Sequence, residues 1–133
     1  MNRTLQNTIA ILLATFWIGL SEFVRNQLLF INTWKDHFNS LGLTFPSEPI
    51  NGIIWMIWSL VFAVTIFFLS KKLSFVELVI ISWIYGFVMM WLVIGNLLVL
   101  PSKILVFAVP LSVVEVVVAN FIIYKLTGKK ISK

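Results

Sequence analysis

Four long apolar stretches constrain this chain more than any other feature: Thr8–Ile31, Ile53–Leu69, Phe75–Leu100 and Ile104–Leu126. A hydrocarbon core about 30 Å thick is crossed by roughly 20 helical residues rising about 1.5 Å each, and every stretch is of that order. "SKKLS" joins the second to the third and "PSK" the third to the fourth. Links so short force neighbouring spans to run antiparallel. The predicted fold class is therefore all-α: a polytopic membrane protein, an antiparallel four-transmembrane-helix bundle forming a single domain over 1–133. Composition agrees. The chain is 60% hydrophobic and 11% charged, against about 45–50% and about 25% for a soluble domain. In water a chain of 133 residues could bury only part of that surface, and the rest would aggregate.

The same composition removes several chemistries. With no cysteine there is no disulfide, thiolate metal site or cysteine nucleophile, and the single histidine, His37, cannot build a multi-histidine centre or a paired-histidine haem site. No glycine-rich phosphate loop or dinucleotide fingerprint is present. No metal and no cofactor are expected. The net charge of +5 is concentrated in short segments flanking the spans, among them "YKLTGKKISK". Such a distribution reports orientation and lipid-headgroup contact; no nucleic-acid partner is expected.

Four spans place both termini and the "KK" turn on one side. That side holds Arg3, Lys71, Lys72, Lys125, Lys129, Lys130 and Lys133; the other holds Lys35 and Lys103, with Arg25 near it inside the span. The positive-inside rule then puts both termini in the cytoplasm, with the protein integral to the plasma (inner) membrane. A cleaved signal peptide is the competing account, since Arg3, an apolar run and "GLS" before Glu22 imitate its three regions. Against it, the apolar pattern resumes after Arg25, and Trp17 is bulky for a position just ahead of cleavage.

Asn32–Gly52 is the one long loop. Trp34, Phe38 and Leu41 recur in it at helical spacing, with Lys35, Asp36 and Asn39 turned elsewhere, which predicts a short amphipathic helix at the outer interface. Gly42 can end that helix, and Pro46 and Pro49 keep the return extended. The loop is either functional or a strap over the bundle mouth.

Charge inside a membrane is costly, about 2.5–3.5 kcal/mol per group on insertion scales, and normally faces the bundle interior. Glu22 and Arg25 are three residues apart and Asn26 is four from Glu22, so all three share a helical face. Ser112, Glu115 and Ala119 form another face on the last span, and Asn96 lies near the outer end of the third. Helical rise puts Arg25 about 9 Å, Glu22 about 13 Å, Glu115 about 16 Å and Asn96 about 6 Å from the outer ends. Polar groups from three helices thus gather in the outer half, while the inner half holds almost none apart from Glu77, one turn from Lys72. Glu22, Arg25, Asn26, Asn96 and Glu115 are the candidates for ligand binding or proton relay. Pro110 frees a carbonyl on the turn before it, and a kink there, about one turn ahead of Glu115, can widen the space beside Glu115. These features predict a hydrated cavity opening to the outer side, with Glu115 facing it and Arg25 and Asn96 on its wall. The alternative is a stabilising bridge from Arg25 to Glu22 and Glu115 that holds the first helix against the fourth. One arginine cannot neutralise two acids, and that surplus favours function.

Among the aromatics, Trp55 and Trp58 suit an interfacial belt, while Trp17, Trp83 and Trp91 lie deeper as packing or pocket walls. Ala10 with Ala14, Ser82 with Gly86 and Ala108 with Ser112 are small-residue pairs that permit close helix approach.

Gly19, the Leu28-Leu29-Phe30 run, Trp34 and Leu41–Thr44 together resemble a family of small four-helix bacterial inner-membrane proteins of unknown function. In those proteins the first helix ends in Leu-Leu-Phe-x-x-x-Trp. Where the family has a Trp-Tyr-Ser-Pro kind of segment, this chain has Glu22–Gln27. The resemblance implies architecture and brings no activity.

Three functional classes follow. The first is a protein that handles a small polar ligand or ion, with a homo-oligomer needed for transport because four helices make a thin pathway. The second is a structural or accessory protein in the lipid bilayer whose ion pair only orders the bundle. An intramembrane enzyme ranks last: no histidine lies in the spans and no nucleophile–base pair is recognisable, although paired carboxylates can do acid–base work.

Overall fold

The computed structural model describes residues 2–129; Lys130 and Lys133, counted above among the basic residues, lie outside them. Every regular element among the described residues is a helix, and none is a strand. Helix α1 (Arg3–Phe23) continues through a π-helical segment, Val24–Leu29. The short α2 (Ile31–Ser40) follows, then α3 (Pro49–Leu69). The third span is α4 (Phe75–Trp83), a second π-helical segment (Ile84–Val88) and α5 (Met89–Asn96), and α6 (Leu105–Leu126) is the last. Four helices, Arg3–Leu29, Pro49–Leu69, Phe75–Asn96 and Ser102–Leu126, are long and apolar enough to cross a membrane. They are the signature of an integral membrane protein, and the four-helix bundle is as the sequence predicts.

The helix ends fall where local chemistry puts them, and apolarity alone misplaces several. α1 starts at Arg3, before the apolar run, because Asn2 caps it: its Oδ1 accepts from the Thr4 amide at 3.1 Å. α3 starts at Pro49, whose fixed φ suits the first helical position. Ser74 and Glu77 form a reciprocal capping box that starts α4, so Glu77 is a capping residue at a helix end. The third span stops at Asn96, short of Leu100, because the chain turns through Leu98 at φ +62. Gly42 (φ +71) ends α2 and Gly128 (φ +72) ends α6, positions where a side chain would be strained.

α1 packs against both α3 and α6, and α6 against α4. Buried Ala10, Ala14, Ile18 and Glu22 recur every fourth residue along α1, facing Ala108, Ser112, Glu115, Val116, Ala119 and Ile123 of α6. Small side chains there let the two helices approach closely, which is how helices associate where lipid competes for apolar contact. The outer surface is the reverse of a soluble protein: Leu12, Phe16, Val61, Leu92, Val106 and Phe107 are all more than half exposed. Such faces match lipid.

The long loop forms the amphipathic helix expected from Trp34 and Phe38. Trp34, Phe38 and Phe45 stack with ring centroids 5.3–6.2 Å apart. Trp34 also packs on Leu100, Ile104 and Ala108, and His37 Nε2 lies 2.8 Å from the Leu98 carbonyl. α2 is thus fastened to one end of the bundle, hereafter the loop end.

Candidate functional site

The site grows from the π-helical segment of the first span. A π turn is rare in proteins and often sits at functional positions. Here the Phe30 amide reaches back five residues to the Arg25 carbonyl at 3.0 Å. Phe30 then leaves helical geometry, and the chain turns into α2. Arg25 is held inside, 5% exposed, with Glu22 at 4% and Glu115 at 1%.

Arg25 Nη1 donates to Glu115 Oε2 at 2.9 Å, and Nη2 donates to Glu22 Oε1. Its guanidinium carbon lies 5.1 Å from the centre of the Phe87 ring, a cation–π contact reaching the third span. Asn26 Nδ2 donates to Glu22 Oε2 at 2.9 Å, and Trp34 Nε1 donates to Asn26 Oδ1 at 3.0 Å. From the other side, Trp17 Nε1 donates to the Glu115 backbone carbonyl at 3.0 Å. A continuous chain of polar contacts therefore links α2 to α1 and α1 to α6.

Of the five candidates, Glu22, Arg25, Asn26 and Glu115 come together. Asn96 does not: it is exposed at the end of α5, outside the network. Helical rise gave its depth but not its direction, and the π segment Ile84–Val88 changes the phase of every later position in that span. The expected cavity is also placed differently. Asn26 and Trp34 close the cluster toward the loop end, and the space beside Glu115 is a groove of about 210 Å³ between α1 and α6. Trp17, Ser21, Arg25 and Glu115 line its inner part, with Leu20, Val24, Leu29, Leu111 and Val114 around them. Leu29 and Val114 are more than half exposed on the apolar flank of the bundle. The groove therefore lies along the apolar flank of the bundle.

Comparison with protein-family models, characterised proteins and solved structures finds no match.

Two features of the site's geometry matter. Two carboxylates share one guanidinium, so the cluster holds one more acid than base. Every side-chain oxygen of the pair has a hydrogen-bond donor except Glu115 Oε1, which is buried without a partner. Buried polar atoms are almost always paired, and an orphan calls for a reason.

The sequence reading missed a second polar layer farther from the loop end. Asn120, fully buried, donates through Nδ2 to Ser82 Oγ at 3.0 Å and to the Val116 carbonyl at 2.8 Å. Ser112, already placed on the Glu115 face and one turn nearer the loop end, accepts from Trp83 Nε1 at 2.9 Å. These bonds tie α4 to α6, and Asn120 with Ser82 adds polar groups to an inner half expected to hold almost none apart from Glu77. A buried asparagine in "VVVANFII" should have been suspected by the same cost that flagged Glu115. The tryptophan donors carried no such mark, because an indole is mostly apolar surface.

Proposed function

We propose that this protein binds an amphiphilic molecule from within the bilayer, seating its polar group against Glu115 through the groove between α1 and α6. The observation that carries the reading is Glu115 Oε1, a buried acceptor with no partner on a residue that lines an apolar groove. The surplus acid calls for a proton or a cationic group in the same place, because an unpaired charge in a low dielectric is strongly disfavoured. An occupant with a cationic or hydrogen-bond-donating head and an apolar tail satisfies both the acid and the leucine and valine walls. Such binding needs no axial pathway through the four helices.

Glu115→Gln separates binding from folding. It leaves Glu22 and Arg25 as a balanced pair, and melting in detergent should stay within about 1 kcal/mol of wild type, as for a near-isosteric change that strands no charge. The probe is a spin-labelled long-chain amine added to lipid nanodiscs, read by quenching of tryptophan fluorescence; Trp17 lines the groove. Saturable quenching in wild type, lost in Glu115→Gln, is the expected result. Equal quenching in both would favour a second reading, an accessory protein whose network only orders the bundle. The closure of Arg25 on both acids is the observation in that reading's favour.

We also propose that the termini face the cytoplasm, on the excess of lysine and arginine around Arg3, Lys71–Lys72 and Lys125. Single cysteines at Ser40 and Lys72 test this with a membrane-impermeant thiol reagent on intact cells. Ser40→Cys should label and Lys72→Cys should not; the reverse pattern inverts the topology.

A further inference from the structure

At the end of the bundle opposite α2, three cations from separate parts of the chain meet around one cleft. Arg3 comes from the first turn of α1, Lys71 from the turn after α3 and Lys129 from just beyond α6. With Asn7, Phe67, Ser70 and Thr127 they line a space of about 300 Å³, and among the described residues no carboxylate lines it. That volume is at the lower limit of small-molecule sites, which run from about 300 to about 1,000 Å³.

The cations are positioned, not merely near one another. Lys71 Nζ lies 4.6 Å from the centre of the Phe67 ring and 4.7 Å from that of Phe68. Gly128, at φ +72, turns the chain back so that the Lys129 amide donates to the Tyr124 carbonyl at 3.0 Å. Lys129 Nζ then sits 5.7 Å from the centre of the Tyr124 ring. Helix dipoles account for only part of this. Lys71 and Lys129 follow helix C-termini, where cations are favoured, but Arg3 stands in the first turn of α1, where they are not, and no acid shares that turn. Partial burial, together with the charge of Lys71, holds the Lys129 ammonium below the ordinary lysine value. Three like charges thus line one cleft, and an anion between them would be drawn to all three.

We infer that this cleft is a binding site for a phosphate group, with Arg3, Lys71 and Lys129 as its cationic ligands and the Thr127 and Asn7 side chains beside them. Its place at the helix ends, next to lipid-facing α1 and α3, suits the phosphate of an anionic glycerolipid; a soluble phosphate offers the same chemistry.

The test is thermal melting of the purified full chain in zwitterionic detergent micelles. Two probes are titrated separately: phosphatidylglycerol, with phosphatidylcholine as reference, and inorganic phosphate. Phosphatidylglycerol should raise the melting temperature saturably where phosphatidylcholine does not. No response to inorganic phosphate assigns the site to a lipid, and a saturable response to it assigns a soluble phosphate. The double variant Arg3→Gln/Lys129→Gln should weaken the apparent affinity about 25-fold, or about five-fold per charge near a membrane surface. Lys72→Gln/Lys125→Gln removes the same charge from exposed lysines outside the cleft and should change it less than about two-fold, the scale of a screened surface charge. Neither probe raising the melting temperature, or equal weakening by the two double variants, would overturn the proposal.

Discussion

Arg25→Leu is expected to cost the bundle about 3–5 kcal/mol, the usual consequence of removing one partner from a buried ion pair. Two carboxylates would be left without their cation at positions 4% and 1% exposed. The arginine cannot escape this cost by reaching to water, since it is itself 5% exposed and is held by both acids and by the Phe87 ring. The cation–π contact adds a smaller share, of order 1 kcal/mol. Leucine fills the volume, so the loss reports stranded charge more than an empty cavity.

The triple variant Arg25→Leu/Glu22→Gln/Glu115→Gln isolates that cause. It removes both stranded charges, and most of the lost melting temperature should return, because a buried triad replaced by neutral groups is often as stable as the original. Detergent melting of the single and triple variants decides the matter. If the single variant melts like wild type, the cluster contributes nothing to the bundle. If the triple variant melts no higher than the single, the loss belongs to packing around Arg25 and not to charge.

The outline of this cluster was legible in the sequence for an energetic reason: Glu22, Arg25 and Glu115 are expensive in lipid, and expense implies pairing. The shared face of Glu22, Arg25 and Asn26 followed from helical spacing alone, and Glu115 from the equal cost of a carboxylate on the last span. What could not be read were features that leave no mark in composition. Neither π segment, Val24–Leu29 with its polar Arg25, Asn26 and Gln27 or the apolar Ile84–Val88, carries a proline or other residue that marks a break in helical register, yet the first turns the chain toward α2 and the second displaces Asn96 from the site. The direction of the groove was illegible too. A hydrated outward cavity and a lateral apolar groove both need polar residues at the same depth, and they differ only in what surrounds them. Leu29, Leu111 and Val114 supply that surrounding, and in the sequence they are indistinguishable from other lipid-facing residues. Trp34 was expected on a short amphipathic helix and lies on one, but its donation to Asn26 joins residues eight apart across a helix break, which spacing cannot foresee.

Gly86→Ala should be the second severe substitution, although it adds one methyl group to an apolar span. Gly86 lies in the second π segment, and a Cβ built there would stand 2.5 Å from Phe62 Cζ and 2.9 Å from Cε2. No side chain tolerates that distance, so the ring or the helix must move. The ring has little freedom: Phe62 is 3% exposed, and its centroid lies 5.1 Å from Trp58, 5.3 Å from Tyr85 and 6.1 Å from Phe87. Overpacking of this kind costs about 1–3 kcal/mol. Phe87 also faces the Arg25 guanidinium, so displacement of the aromatic stack should reach the ion cluster. Gly19→Ala is the control. Its Cβ would meet Met56 Sδ at 2.7 Å, which also forces a shift, but Met56 is 46% exposed and unbranched and can swing aside at little cost. Melting should fall clearly for Gly86→Ala and hardly at all for Gly19→Ala. Trimming the opposing ring should then relieve the strain, so Gly86→Ala/Phe62→Leu should lose less than the two single variants added together, by about 0.5–3 kcal/mol as for residues in direct contact. Strict additivity would mean that the glycine and the ring do not meet, and that the third span lies elsewhere against α3.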